Sequence, residues 1–217
     1  MSETKSAPWP ALKRNLVAIL RGIAPDEILP VAQRLLEAGF EAIEIPLNSP
    51  DPFRSIEALA KAAPAGVLVG AGTVLDPADV ARLDAAGGRL LVSPNLDPAV
   101  LAAGARARMV TMPGVFTPTE AFLALRSGAS GLKFFPAGVL GVEGIKAMGA
   151  VLPKGTVIAA VGGVSDENFA IYAQAGVRAF GLGSSLYKAG LSPAEVGTRA
   201  RAAVKAYDAV FGARSKD

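Results

Sequence analysis

The chain has 217 residues, 51% of them hydrophobic and 19% charged, with a formal net charge of +3. That composition supports one sizeable core, carries too few charges for a disordered chain, and has too small a net charge to indicate nucleic acid, since Lys and Arg are scattered and no basic run exceeds Lys13-Arg14. Cys and His are both absent, which excludes disulfides, thiolate nucleophiles, histidine bases and Cys- or His-bound metals.

Residues 1–14, MSETKSAPWPALKR, contain no apolar stretch of the kind a secretory signal needs, and they read as a loosely held arm. No apolar run reaches the ~18 residues of a membrane span, so a cytoplasmic protein without membrane partners is expected. From residue 15 to 210 one pattern repeats. A short apolar run ends in a Gly, Pro or polar turn, and an Ala/Leu-rich amphipathic segment follows.

The first run is LVAIL (16–20). A helix is predicted over 25–38, where Ile28, Val31, Leu35 and Leu36 recur at helical spacing. AIEI (42–45) and VLVGA (67–71) follow. LDPADVARLDAAGG then offers Asp76 as N-cap, Pro77 at the first helical position and Gly87 or Gly88 as the stop. LLV (90–92) and MVTM (109–112) precede TPTE (117–120), which has capping-box spacing. LKFF (132–135) and VIAAV (157–161) lead to VSDEN (164–168), with Ser165 as the expected cap. AFGLG (179–183) is followed by a last helix over 193–210 and a tail at 211–217.

Eight β/α units of this kind imply a parallel sheet covered by helices, and a closed (β/α)8 TIM barrel preceded by the short arm is the expected fold. A doubly wound open sheet is the alternative. Nothing divides residues 15–210 into separate domains.

In such a barrel the site lies at the C-terminal ends of the strands. Those ends carry Arg21, the PLNS turn containing Asn48, Thr73, the Gly162-Gly163 pair and Gly183-Ser184-Ser185. Two charged residues, Glu44 and Lys133, lie inside apolar runs instead. Alternate strand residues point into a barrel, so both can reach one interior. One reading is a buried ion pair that serves stability alone, although such pairs often stabilise no more than apolar residues would. The other is chemical: desolvation lowers a lysine pKa and frees a neutral amine to attack a carbonyl, while a carboxylate nearby moves protons.

The glycine-rich ends of the seventh and eighth runs read either as tight turns or as a phosphate site. Small residues let backbone N–H groups approach an anion, and loops after strands 7 and 8 recur as phosphate sites in this fold. Arg21 is suited to a carboxylate or to a rim salt bridge. Thr73 can add a hydroxyl to the same anion.

Taken in order, EIPLNSP, VGAGTV, SPN, LKFFPA, VGGV and GLGSSLY resemble the class I 2-keto-3-deoxy-6-phospho-sugar acid aldolases over about residues 15 to 208. The resemblance implies that Lys133 forms a Schiff base with the substrate ketone and that Glu44 shuttles protons. It places Thr73 on the pyruvate carboxylate, with Arg21 supplying positive charge, and the phosphate on the two glycine-rich loops. No metal or other cofactor is implied, and family members of this type are often homotrimers.

The family includes enzymes for two C4 epimers. The gluconate form has an arginine shortly after the strand 2 glutamate, where this chain has Asn48. It also has a threonine before the Gly-Gly pair, where this chain has Val161. Both differences point to the galactonate epimer, cleaved to pyruvate and D-glyceraldehyde 3-phosphate. The alternatives are the gluconate epimer, both epimers, or a sugar-phosphate epimerase or isomerase on the same barrel.

Overall fold

The computed structural model describes residues 5–212. The elements run β1 (Leu16–Ile19), α1 (Ile28–Ala38), β2 (Ala42–Pro46), α2 (Pro52–Ala62), β3 (Leu68–Gly72), α3 (Pro77–Ala85), β4 (Leu90–Val92), α4 (Pro98–Arg106) and β5 (Val110–Met112). They continue β6 (Gly114–Val115), α5 (Pro118–Arg126), β7 (Leu132–Phe134), α6 (Ala137–Gly149), β8 (Ile158–Val161), α7 (Phe169–Gln174), β9 (Ala179–Leu182) and α8 (Pro193–Phe211).

All strand pairs are parallel, in the order β5-β4-β3-β2-β1-β9-β8-β7-β6. Only Pro113 separates β5 from β6, and it has no N–H to give to a ladder. The first half of this strand pairs with β4 and the second with β7. Lys133 N–H donates to Pro113 O at 3.0 Å, and Gly131 N–H to Thr111 O at 3.2 Å. The nine segments are therefore eight strands closed into a TIM barrel, with the fifth interrupted by its proline.

Side chains alternate across the barrel wall with a period of two. Val17, Ala42, Leu90, Val92, Val110, Met112, Ala159 and Ala179 form one apolar cluster inside. Their chain neighbours, such as Leu16, Ile43, Leu91 and Phe180, belong to the larger core beneath the helices.

Helix starts follow local chemistry. Asp76 accepts from Ala78 N–H at 2.8 Å ahead of Pro77. Thr117 with Glu120, and Ser192 with Glu195, form complete capping boxes. Two expectations change. The first helix starts at Ile28, because residues 24–27 form a turn in which Glu27 Oε2 accepts from Ala24 N–H at 3.0 Å. Ser165 does not cap α7: it accepts from Glu167 N–H at 3.3 Å within a turn, and the helix begins at Phe169.

Residues 5–14 of the arm are not loosely held. Ser6 N–H donates to Gly128 O at 3.2 Å and Ala7 N–H to Met109 O at 2.9 Å. Trp9 Nε1 donates to Asn15 Oδ1 at 3.0 Å. Leu12, Ala7 and Trp9 pack onto the interior cluster. The strand starts leave that apolar interior open at the N-terminal end, and the arm covers it, leaving the opposite end for the site. Residues 1–4 of the arm and 213–217 of the tail lie outside the described residues. Phe211, placed in the tail by sequence, is the last residue of α8 and stacks on Tyr207 at 4.6 Å. Among the described residues no helix is long and apolar enough to cross a membrane.

Candidate active site

β2 and β7 each send one charged side chain into the barrel. Glu44 is in register with Ile19 and Gly70, and Lys133 with Gly114 and Ala159. They are only 2% and 5% exposed. The room for Glu44 comes from β3: a Cβ on Gly72 would lie 2.1 Å from Glu44 Oε2. That carboxylate oxygen has no hydrogen-bond partner. Among the described residues Lys133 and Glu44 form no salt bridge, and Lys133 Nζ lies 4.5 Å from the centre of the Phe135 ring.

Burial dominates both titrations. Desolvation raises the Glu44 carboxyl to about 7 against the opposing pull of Lys133 and Arg21. Desolvation lowers the Lys133 ammonium to about 8, with Arg21 assisting and Glu44 opposing. An amine titrating there is neutral in roughly a tenth of molecules at pH 7, far more than an ordinary lysine.

Arg21, Asn48 and Thr73 come together at the mouth. Arg21 Nη1 donates to Asn48 Oδ1 at 2.5 Å, and Thr73 Oγ1 lies 3.4 Å from Arg21 Nη2. A neutral amide orients the guanidinium without neutralising it, so its charge remains for an anion. Thr73 has φ +56°, a left-handed conformation that a β-branched residue rarely adopts. Such strain concentrates at functional sites.

A cleft of about 560 Å³ opens beside this group. Its walls include Arg21, Val161, Gly162, Gly163, Gly183 and Ser184, six of the residues singled out by sequence. Gly162 and Gly163 have φ +85° and +78°, which only glycine adopts without strain. Lys133 and Glu44 are buried and are not among the residues of the cleft wall, whereas Phe135, whose ring lies beside the Lys133 amine, is. Ser185 turns away: its hydroxyl donates to Val164 O at 3.0 Å, leaving its backbone N–H as the group suited to an anion.

Two further lining residues, Tyr187 and Lys188, were not singled out by sequence. Tyr187 is 3% exposed, its hydroxyl lacks a partner, and burial pushes it up to about 12. The signal for both was their place just beyond the Gly-Ser-Ser turn. Among the described residues no three of His, Cys, Asp and Glu gather as metal ligands.

The family model for KDPG and KHG aldolase matches residues 11–192. A Rhizobium meliloti (strain 1021) protein described as a probable 2-dehydro-3-deoxy-6-phosphogalactonate aldolase is 63% identical over 94% of this chain and 97% of its own. A solved structure described as native KDPGal is 46% identical, covers 94% of this chain and 98% of its own, and superposes with a TM-score of 0.91. KDPG aldolase from Legionella pneumophila, solved with pyruvate captured as a covalent carbinolamine, is 27% identical over 91% of this chain and 94% of its own, with a TM-score of 0.75.

Proposed function

The chain belongs to the KDPG and KHG aldolase family, and within it we propose a Schiff-base aldolase that cleaves 2-dehydro-3-deoxy-6-phosphogalactonate to pyruvate and D-glyceraldehyde 3-phosphate. One observation carries the reading: an amine lowered to about 8 and a carboxyl raised to about 7 share the barrel interior without forming a salt bridge. The pyruvate carbinolamine in the Legionella relative supports covalent chemistry. The name of the Rhizobium relative supports the galactonate epimer.

Neutral Lys133 Nζ attacks the C2 ketone and gives a carbinolamine, which loses water to an iminium. Glu44 takes the C4 hydroxyl proton. The C3–C4 bonding electrons move into the iminium, leaving an enamine, and glyceraldehyde 3-phosphate departs. Glu44 returns the proton to C3, and water hydrolyses the resulting iminium to pyruvate and free Lys133. The iminium is the electron sink, so no metal or other cofactor has a step to perform.

Arg21 and Thr73 hold the carboxylate. Backbone N–H groups around Gly162, Gly163, Gly183, Ser184 and Ser185 hold the phosphate. Fixing both ends aligns the C3–C4 bond with the iminium, a positioning effect worth several kcal/mol. Asn48 and Val161 set the epimer preference. Phosphorylated sugar acid and pyruvate are the small-molecule partners. A homotrimer rests on the family resemblance alone and is checked by light scattering, while a cytoplasmic location rests on the sequence reading and is checked by fractionation.

The test is borohydride reduction in the presence of pyruvate. A stable adduct is expected on the wild-type chain and none on Lys133→Ala, with cleavage activity lost by about four orders of magnitude or more. An undiminished adduct on Lys133→Ala would sink the assignment, as would no adduct on the wild type. An epimerase or isomerase would give no adduct.

A further inference from the structure

The loop after β8 holds its carbonyl groups in an arrangement that the proposed chemistry has not used. Three successive carbonyl oxygens each accept one hydrogen bond from a group beyond their own turn. Gly162 O accepts from Gly138 N–H at 2.9 Å. Gly163 O accepts from Asn168 Nδ2 at 3.0 Å. Val164 O accepts from the Ser185 hydroxyl at 3.0 Å. In a trans peptide the C=O and N–H point in opposite directions. Fixing the Gly162 and Gly163 carbonyls therefore fixes the N–H groups of Gly163 and Val164 on the other side of their peptides. Neither N–H donates to a protein group among the described residues, and both residues line the cleft.

We propose that Asn168 is a positioning residue for phosphate: its side-chain amide holds the Gly163 carbonyl away from the cleft, so that the loop presents N–H groups to a phosphoryl group. The inference rests on the reading of this cleft as the phosphate end of the substrate site. An anion is repelled by carbonyl oxygens and held by backbone N–H groups, and the positive φ of both Gly162 and Gly163 gives the loop a path that other residues follow only with strain. A two-glycine loop has little stiffness of its own, because glycine populates many conformations. The orientation must come from neighbours, and Asn168 supplies two contacts. Its Nδ2 donates to Gly163 O, and its Oδ1 accepts from Ser165 N–H at 3.0 Å. Its side chain does not cap α7. Asn168 touches no reacting atom and acts through the loop.

The experiment compares the phosphorylated substrate with its dephosphorylated counterpart, and adds inorganic phosphate as a competitive inhibitor. Asn168→Ala removes both contacts. Asn168→Asp keeps the acceptor for Ser165 N–H and loses the donor to Gly163 O. For both variants KM for the phosphorylated substrate should rise roughly ten- to hundredfold, the scale of one misdirected polar contact, and inhibition by phosphate should weaken in parallel. KM for the dephosphorylated substrate and the rate of borohydride trapping with pyruvate should stay within about twofold. Ser185→Ala, a smaller deletion that frees the Val164 carbonyl, should show the same selective loss at about three- to tenfold.

Equal losses on both substrates, or an unchanged KM for the phosphorylated one in both Asn168→Asp and Ser185→Ala, would overturn the proposal. So would a wild-type chain that inorganic phosphate does not inhibit. Absence of a borohydride adduct on the wild type is a different failure: it removes the aldolase reading, not the role of Asn168 in phosphate inhibition.

Discussion

Two pairs of opposite charge in this barrel are built in contrasting ways. Arg14, just before β1, meets Asp208 on α8 through two hydrogen bonds of 2.7 and 2.6 Å. Both side chains stay partly open to water, at 16% and 28%, and the hydrogen bonds Arg14 donates to Asp208 hold the guanidinium above its ordinary pKa. Lys133 and Glu44 are far more buried, yet they form no salt bridge, and each is displaced toward its neutral form. The first pair stabilises its charges. The second leaves both partners near the middle of their titrations, where a proton moves easily. Burial without contact thus separates the proposed reactive pair from the structural one.

The contrast is tested hardest by Glu44→Gln. Removing the proposed proton carrier should lower turnover about 10²- to 10⁴-fold, while Lys133 remains available for borohydride trapping. A variant that turns over at the wild-type rate would return Glu44 to a structural role. Next in size is the pH profile. In the proposed mechanism attack needs neutral Lys133 and proton removal needs ionised Glu44, so both reactive forms accumulate as pH rises. kcat/KM should climb on the order of 10³-fold between pH 6 and 9 and level off above about 8, with the apparent values belonging to the pair. A profile falling across that range would break the assignment. Stability should respond in the opposite sense. Between about pH 4.5 and 7 the folded chain keeps a proton on Glu44 that the unfolded chain has released, so stability falls as pH rises across this window. Denaturant unfolding of wild type against Glu44→Gln isolates that contribution.

Much of this was legible in the sequence because it depends on period and residue type. Alternating apolar runs located the strands, and Asp76 and Thr117 marked helix starts through their own hydrogen bonds. Lys133 and Glu44 stood out because charge inside an apolar run is expensive. What stayed hidden depends on direction. Pro113 split a strand without ending its path. The arm proved to be a plug because the open barrel end needs cover, a property of the closed sheet and not of residues 5–14. Ser185 was grouped with the phosphate loop by its neighbours, but its hydroxyl faces Val164 O. Asn168 sat in view within VSDEN, and only the fold shows which carbonyl its amide meets.

Smaller effects should come from the mouth. Asn48→Ala removes the acceptor that orients Arg21. KM for the sugar acid should rise about tenfold with little change in kcat, as expected when binding common to ground and transition states is lost. Val161, 4% exposed and lining the cleft, cannot bond a substrate hydroxyl. Val161→Thr should shift the galactonate-to-gluconate ratio of kcat/KM toward gluconate by a factor of about 3 to 10, because a hydroxyl added to an apolar wall discriminates weakly. A comparable ratio for the two epimers in the wild type would already defeat the role given to Val161.

The smallest catalytic effect should be that of Arg14→Ala, and it closes the contrast. Arg14 ties the chain before β1 to the last helix, passing so close to Gly39 that a Cβ there would lie 2.9 Å from its Nη1. Its loss should lower stability by about 1–2 kcal/mol and the melting temperature by a few degrees, since the pair is bidentate and only partly solvated. Asp208 then faces water, which limits the loss. Turnover, borohydride trapping and the pH profile should stay as in the wild type, because nothing in the pair reaches the interior. Lys133→Ala should show the reverse pattern: no turnover, and a melting temperature that hardly falls, since a side chain displaced toward neutrality by burial contributes little as a charge. Arg14→Ala abolishing turnover, or Lys133→Ala unfolding the barrel, would mean that contact and burial do not divide the two pairs by role.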